Sequence, residues 1–165
     1  MAKKLAVRVD DRLIHGQVVT KWVSFFNIET IIVIDSDIAK DKTRKNILKF
    51  AAPPSVKLRI LSVDKAVENW NKDEFGNKNV FVLFANIKYI KECWDKGLQF
   101  KDISLGQMAV INERKQIHLQ MGMDASEAKV LLDLEKEGAK IYFQMLPTDG
   151  QTSLDVVRKA FPELS

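Results

Sequence analysis

The segment VDDRLIHGQV, Val9 to Val18, gathers two carboxylates, an arginine and a histidine into six consecutive positions and follows them with a glycine and an apolar run. His15 is one of only two histidines in the chain. An imidazole in its neutral form is a nucleophile. Arg12 offers a forked cation matched to phosphate oxygens. Gly16 lets a backbone approach closely, and Gly16 and Gln17 begin a helical pattern whose free N–H groups and dipole favour an anion. A neutral imidazole beside such an anion seat can accept a phosphoryl group and release it again, a reaction that asks for little beyond positioning and charge stabilisation. The same residues also fit a plainer reading, in which Asp11 and Arg12 are a solvated ion pair and His15 caps a helix.

Any such chemistry depends on the elements that hold the segment. Short β-rich runs alternate with helix-period segments along the whole chain, which predicts a single α/β domain around a mostly parallel sheet of about six or seven strands. LAVRVD (Leu5 to Asp10) is the first strand. From Gly16 a helix follows, with Val18, Trp22 and Phe26 on one face and Val19 and Val23 beside them. TIIVID (Thr30 to Asp35) and NVFVLFAN (Asn79 to Asn86) are continuously apolar, as strands buried on both faces must be. DKTRKNILKFAAPP is a basic-faced helix stopped by Pro53 and Pro54. VKLRIL, with Lys57 and Arg59 opposed to Val56, Leu58 and Ile60, has one wet face and belongs at an edge.

DISLG is a fifth strand, and Met108 to Met121 is expected to form a hairpin around NERK, with Ile117, Leu119 and Met121 on one face and His118 and Gln120 on the other. DASE (Asp124 to Glu127) has capping-box spacing ahead of a helix ended by Gly138. KIYFQML and TSLDVVRKAF supply a last strand and a last helix. On this plan Asp10 ends the first strand and His15 closes the loop after it, where ligands gather in open α/β sheets.

The chain's 165 residues, 46% hydrophobic and 29% charged, suit one ordinary globular domain over residues 1–165. MAKKLAV lacks the apolar core of a signal peptide, and no stretch approaches about 18 consecutive apolar residues, so a cytoplasmic protein is expected. One cysteine and two scattered histidines give neither a disulfide nor a zinc spacing, and no metal or cofactor is expected. The net charge of +4 comes from scattered lysines with no aromatic-interleaved basic stripe, which argues against a nucleic-acid partner.

VRVDDRLIHGQVVTKWV resembles the phosphorylation-site segment of the IIB subunit in the mannose/fructose/sorbose family of the bacterial phosphoenolpyruvate-dependent sugar phosphotransferase system. TIIVIDSDIAKDKTRKNILKFAAP, VFVLFAN and GAKIYFQMLPTD extend the likeness over nearly the whole chain. The resemblance implies that His15 takes a phosphoryl group from a phosphohistidine on a IIA partner and passes it to a hexose carried by a membrane IIC/IID pair, which would keep the protein at the inner face of the membrane. It also implies that Arg12 stabilises the transferring group, that the backbone around Gly16 and Gln17 cradles it, and that Asp10 and Asp11 orient His15 or Arg12. The family suggests Nδ1 as the phosphorylated nitrogen, and it implies a three-layer α/β/α fold around a doubly wound, mostly parallel sheet. One stretch departs: in SLGQM, Gln107 stands where the family usually has the second of two glycines.

Rival readings rest on other residues. Cys93, the acceptor type in other IIB classes, lies mid-helix in IKYIKECWDKG with no loop of donors around it, the setting of a packing thiol. A receiver-type domain phosphorylated on aspartate would use Asp10 and Asp11 but also needs an aspartate ending the third strand, where this chain has Leu61 and Ser62, and a lysine after the fifth, where it has LGQM. A non-catalytic α/β interaction domain would share the sheet without the chemistry. His118 belongs to an alternating strand and is expected to face solvent or pack in the hairpin.

Overall fold

A computed structural model describes residues 2–164, the side chains of Gln17 and Val18 excepted. The expected packing of Val18 therefore lies outside the described residues. Strand β1 (Lys4–Asp10) leads through α1 (Gly16–Phe26) to β2 (Thr30–Ile34), then α2 (Ser36–Ala39), α3 (Lys42–Ala51) and β3 (Lys57–Leu61). Next come α4 (Val63–Asp73), β4 (Asn79–Phe84), α5 (Lys88–Asp95) and β5 (Asp102–Gln107). A small excursion, β6 (Lys115–His118) and β7 (Met121–Met123), precedes α6 (Ala125–Lys136), β8 (Lys140–Phe143), β9 (Thr152–Ser153) and α7 (Asp155–Ala160).

The main sheet has the order β3-β2-β4-β1-β5-β8-β9, with every pairing parallel except that of β9. The apolar runs read as buried strands lie inside: Ile31 to Ile34 and Val80 to Phe84 are sealed from solvent on both faces. KLRIL is the edge, but without the expected wet face: Lys57 is exposed, whereas Arg59 bonds Asn69 of α4 and is half-buried like Leu58 and Ile60. On one face Trp22, Val19, Ile28 and Leu48 cover Ile31, Val33, Phe81 and Leu83. On the other, α4, α5 and α6 pack Ala66, Ile90, Trp94 and Leu131 against Val9, Ile32, Phe84 and Leu105.

The helix signals act as their chemistry requires. Asp124 accepts from the Glu127 N–H while Glu127 reaches back to the Asp124 N–H, and α6 stops just before Gly138, whose φ of +110° suits glycine alone. Asp35, expected in the second strand, instead caps α2 by accepting from Asp37 and Ile38. The expected NERK hairpin is displaced. Its strands are β6 and β7, antiparallel around Leu119 and Gln120; Asn112 and Glu113 of NERK form only a turn before them, and its Lys115 already begins β6. Leu119 takes φ +48° at the turn and is 55% exposed, so it leaves the face it was expected to share with Ile117 and Met121. His118 packs edge-on against Phe143 with ring centroids 5.2 Å apart. The last strand is also shorter than KIYFQML: it ends at Phe143, and the chain turns back to add the two-residue β9.

Strand β1 lies between β4 and β5, and the connections leaving β1 and β5 run to opposite sides of the sheet. The carboxyl ends of these two strands therefore form a crevice at a topological switch point, the place where such sheets bind ligands.

Candidate active site

The buried polar residues of β1 organise this crevice. Asp10, the last residue of the strand, is 1% exposed. Its Oδ1 accepts the Arg12 backbone N–H at 3.0 Å and Arg12 Nε at 3.2 Å, and its Oδ2 accepts Arg12 Nη2 at 3.2 Å. This is a fork-to-carboxylate pair fixed further by a backbone bond. Oδ2 also lies 3.3 Å from Nε2 of His15. Asp10 thus holds the arginine and the histidine together, and both keep an outward face: the side chains of Arg12 and His15 are 34% and 24% exposed.

The loop between them is shaped by its apolar members. Leu13 and Ile14 are buried against the α1 side of the core, Leu13 with φ +56°, and the Leu13 N–H bonds to the Asp10 carbonyl. That tight turn brings His15 back over the strand end as the N-cap residue of α1. Its backbone is extended and its side chain does not cap, so the first-turn N–H groups, those of Gly16 and Gln17 among them, remain available to an anion. Gly16 has φ +38°.

Asp11, expected to help orient Arg12 or His15, has no hydrogen bond with either among the described residues. It turns to the loop after β5: Oδ1 accepts Gln107 Nε2 at 3.2 Å, Oδ2 accepts the Ala109 N–H at 2.7 Å, and the Asp11 N–H donates to the Gln107 carbonyl at 2.9 Å. The reason is stereochemical. Successive residues leaving a strand point to opposite sides, and the β1–β5 register shifts between Val9 and Asp10.

Sequence reasoning passed over Arg8. It lies on the same face of β1 as Asp10, 1% exposed, with Nη2 3.8 Å from Asp10 Oδ2. Burial holds its guanidinium down at about 10, opposed by the attraction of Asp10, and it stays charged at neutral pH. The available signal was a single arginine inside an otherwise apolar, alternating strand. Cys93 is fully buried in α5 and burial pushes its thiol up to about 12, which suits packing and not nucleophilic work.

Known proteins resemble the chain over most of its length. The PTS system sorbose subfamily IIB component profile matches residues 4–162. The sorbose-specific EIIB component of Lacticaseibacillus casei is 36% identical over 147 residues, 89% of this chain and 90% of that protein. The mannose-specific EIIAB component of Escherichia coli (strain K12) is 29% identical over 153 residues, 92% of this chain and 47% of the longer protein. The crystal structure of the IIB domain of the sorbose permease from Klebsiella pneumoniae superposes with a TM-score of 0.88 at 30% identity, covering 94% of this chain and 97% of that one. With a matching profile over almost its whole length, relatives of equal span and a shared fold, the chain belongs to the sorbose subfamily of phosphotransferase-system IIB components, which are sugar phosphotransferases.

Proposed function

We propose that this chain carries a phosphoryl group on His15, taking it from a phosphorylated IIA protein and giving it to a hexose in transit through a IIC/IID membrane permease. The observation that carries this reading is the placement of His15 Nε2 against the buried Asp10 carboxylate. A carboxylate only accepts, so Nε2 keeps the ring proton and Nδ1 holds the lone pair.

In the first transfer the Nδ1 lone pair forms a new N–P bond while the P–N bond on the donor's imidazole breaks and its electron pair returns to the donor nitrogen. No proton leaves Nε2. Arg12, already turned toward the site by Asp10, pairs with the equatorial oxygens, and the first-turn N–H groups at Gly16 and Gln17 receive the rest of the charge. In the second transfer a sugar hydroxyl oxygen attacks phosphorus, the N–P bond breaks, the pair returns to Nδ1, and the hydroxyl proton passes to water or to a base of the acceptor site.

Partial exposure of His15 and Arg12 suits a group that two different proteins must reach in turn. A IIA donor is supported by the mannose relative, which bears the names of an A and a B component in one chain. The acceptor side rests on family membership. Among the described residues no helix is long and apolar enough to cross a membrane, so the chain would meet the inner face of the membrane by docking on the permease.

The test is to mix the phosphorylated chain with mannose, fructose, sorbose and amino sugars, with and without membranes containing IIC and IID. Sugar phosphate is expected only with membranes. Free sugar lacks the positioning that makes an encounter effectively intramolecular, worth about 7 to 11 kcal/mol. Rapid sugar phosphorylation without membranes would place the acceptor site in this chain, and failure to take phosphate from phospho-IIA would overturn the reading altogether.

A further inference from the structure

Arg8 heads the fully buried side chains by size, and its partners are unusual for a cation in a sheet. Nη1 donates to the Gln144 carbonyl at 2.5 Å. Nη2 lies 3.7 Å from Met145 Sδ and 3.8 Å from Asp10 Oδ2. The guanidinium sits 4.8 Å over the Trp22 ring, and Trp22 Nε1 in turn donates to the Met145 carbonyl at 3.1 Å. Nε is buried with no partner among the described residues. Strand β5 makes room for the group: a Cβ at Gly106 would stand 2.1 Å from Nη2.

Stability alone does not explain this arrangement. Apolar residues of similar volume often replace buried ionic groups at no loss, and here, among the described residues, the carboxylate paired with Arg8 is beyond hydrogen-bonding distance while Nε goes unpaired. What Arg8 does is lie behind Asp10. It faces Oδ2, the oxygen that His15 and Arg12 Nη2 share from the outer side. Rotation of the carboxylate would carry Oδ2 away from a buried positive charge and from both outer donors at once.

We propose that Arg8 is a positioning residue for phosphoryl transfer: from the interior it holds Asp10 in the rotamer that presents Oδ2 to His15 and both oxygens to Arg12. It takes its own bearing from Trp22 and the Gln144–Met145 backbone. The kinetic part of this assignment rests on the transfer reaction proposed above; the geometric part does not. Displacement of supporting groups by about an ångström is enough to cost a site of this kind a large share of its rate.

Three variants test it: Arg8→Met, which keeps length without charge; Arg8→Lys, which keeps charge without the fork; and Gly106→Ala, whose methyl displaces the guanidinium from the far side. Two readouts separate positioning from folding. One is the 15N NMR spectrum of the His15 imidazole in the unphosphorylated protein, which reports how fully the proton resides on Nε2. The other is the division of transfer from phospho-IIA into kcat and KM.

Arg8→Met and Gly106→Ala are expected to mix the two tautomers and to lower kcat about ten- to a hundred-and-fifty-fold, the worth of the charged His15–Asp10 hydrogen bond that a misplaced Asp10 would lose, with KM for IIA unchanged. Arg8→Lys is expected to recover part of both. Folded Arg8→Met or Gly106→Ala protein with the wild-type imidazole spectrum and kcat would overturn the proposal. So would loss of the fold in all three variants, which would assign Arg8 to stability. If the wild-type protein takes no phosphate on His15, the transfer reading fails while the imidazole spectra still decide the role of Arg8.

Discussion

Replacing Asp10 by asparagine keeps the shape of a side chain that solvent scarcely reaches and exchanges one acceptor oxygen for an amide donor. In the native site Oδ1 serves the Arg12 backbone N–H and Nε, and Oδ2 serves Arg12 Nη2 and His15 Nε2. An amide cannot serve all four donors. With its NH2 group in the Oδ1 place it opposes the Arg12 backbone N–H and the turn that sets the loop. With NH2 in the Oδ2 place it opposes His15 Nε2, and the ring adapts only by moving its proton to Nδ1, the nitrogen whose lone pair attacks phosphorus in the proposed transfer.

The second arrangement is the less disruptive to structure and the more damaging to transfer. One charge-assisted hydrogen bond is worth about 1.5 to 3 kcal/mol, which corresponds to about ten- to a hundred-and-fifty-fold in rate. Rapid-quench measurement of single-turnover transfer from radiolabelled phospho-IIA, with a thermal melt to show that the variant is folded, reads this directly. A folded Asp10→Asn protein that transfers at the wild-type rate would refute the assignment of Asp10 as the group that holds His15 and Arg12.

Other outcomes follow from the same geometry. His15→Ala abolishes phosphate uptake, whereas His118→Ala leaves uptake intact and loses only the ring contact with Phe143, about 0.5 to 1.5 kcal/mol of stability on a melting curve; a hydroxylamine-sensitive label that survives in the His15 variant would point to aspartate instead. Arg12→Lys cannot span both Asp10 oxygens and the phosphoryl group, so it slows transfer about ten- to a hundred-fold with little change in melting temperature, and unchanged single-turnover kinetics would remove Arg12 from the mechanism. Cys93, buried with its thiol raised to about 12, resists iodoacetamide at pH 8 until the protein unfolds; rapid alkylation that stops phosphate uptake would reverse that view.

The parts of the fold that were legible in the sequence are those in which one local rule decides the outcome. Ile31 to Ile34 and Val80 to Phe84 are apolar without interruption because both of their faces are covered, and the charges of Lys57 and Arg59 mark β3 as the edge of the sheet. The reading failed where a turn residue broke a period. Nothing in the alternation of Ile117, His118, Leu119 and Gln120 announces that Leu119 takes a positive φ and ends the strand. Within the site, His15, Arg12 and Gly16 are legible because they are adjacent in sequence and their chemistry is local. Arg8 became visible only with the tertiary structure: its partners Gln144 and Met145 lie 136 and 137 residues away, and its room comes from Gly106 on a neighbouring strand.

The two consecutive aspartates show why local chemistry alone left their roles open. Asp10 and Asp11 are equivalent in type and differ by one position, but one position at the end of a strand reverses direction. Asp10 faces the loop that carries His15, and Asp11 faces the loop that follows β5. Because β1 and β5 send their chains to opposite sides of the sheet, nothing in the connectivity fixes the width of the crevice between them. The β1–β5 ladder joins the strand ends as far as Asp10 and Gln107, and Asp11 extends that join with three bonds, one from its own N–H to the Gln107 carbonyl and two accepted by its carboxylate from Gln107 Nε2 and the Ala109 N–H. A glycine in place of Gln107 would leave the two bonds that involve backbone of the β5 loop and remove the amide. Gln107 therefore acts on the rim of the crevice and on the loop bearing the exposed Val110 and Ile111, while the histidine itself answers to Asp10.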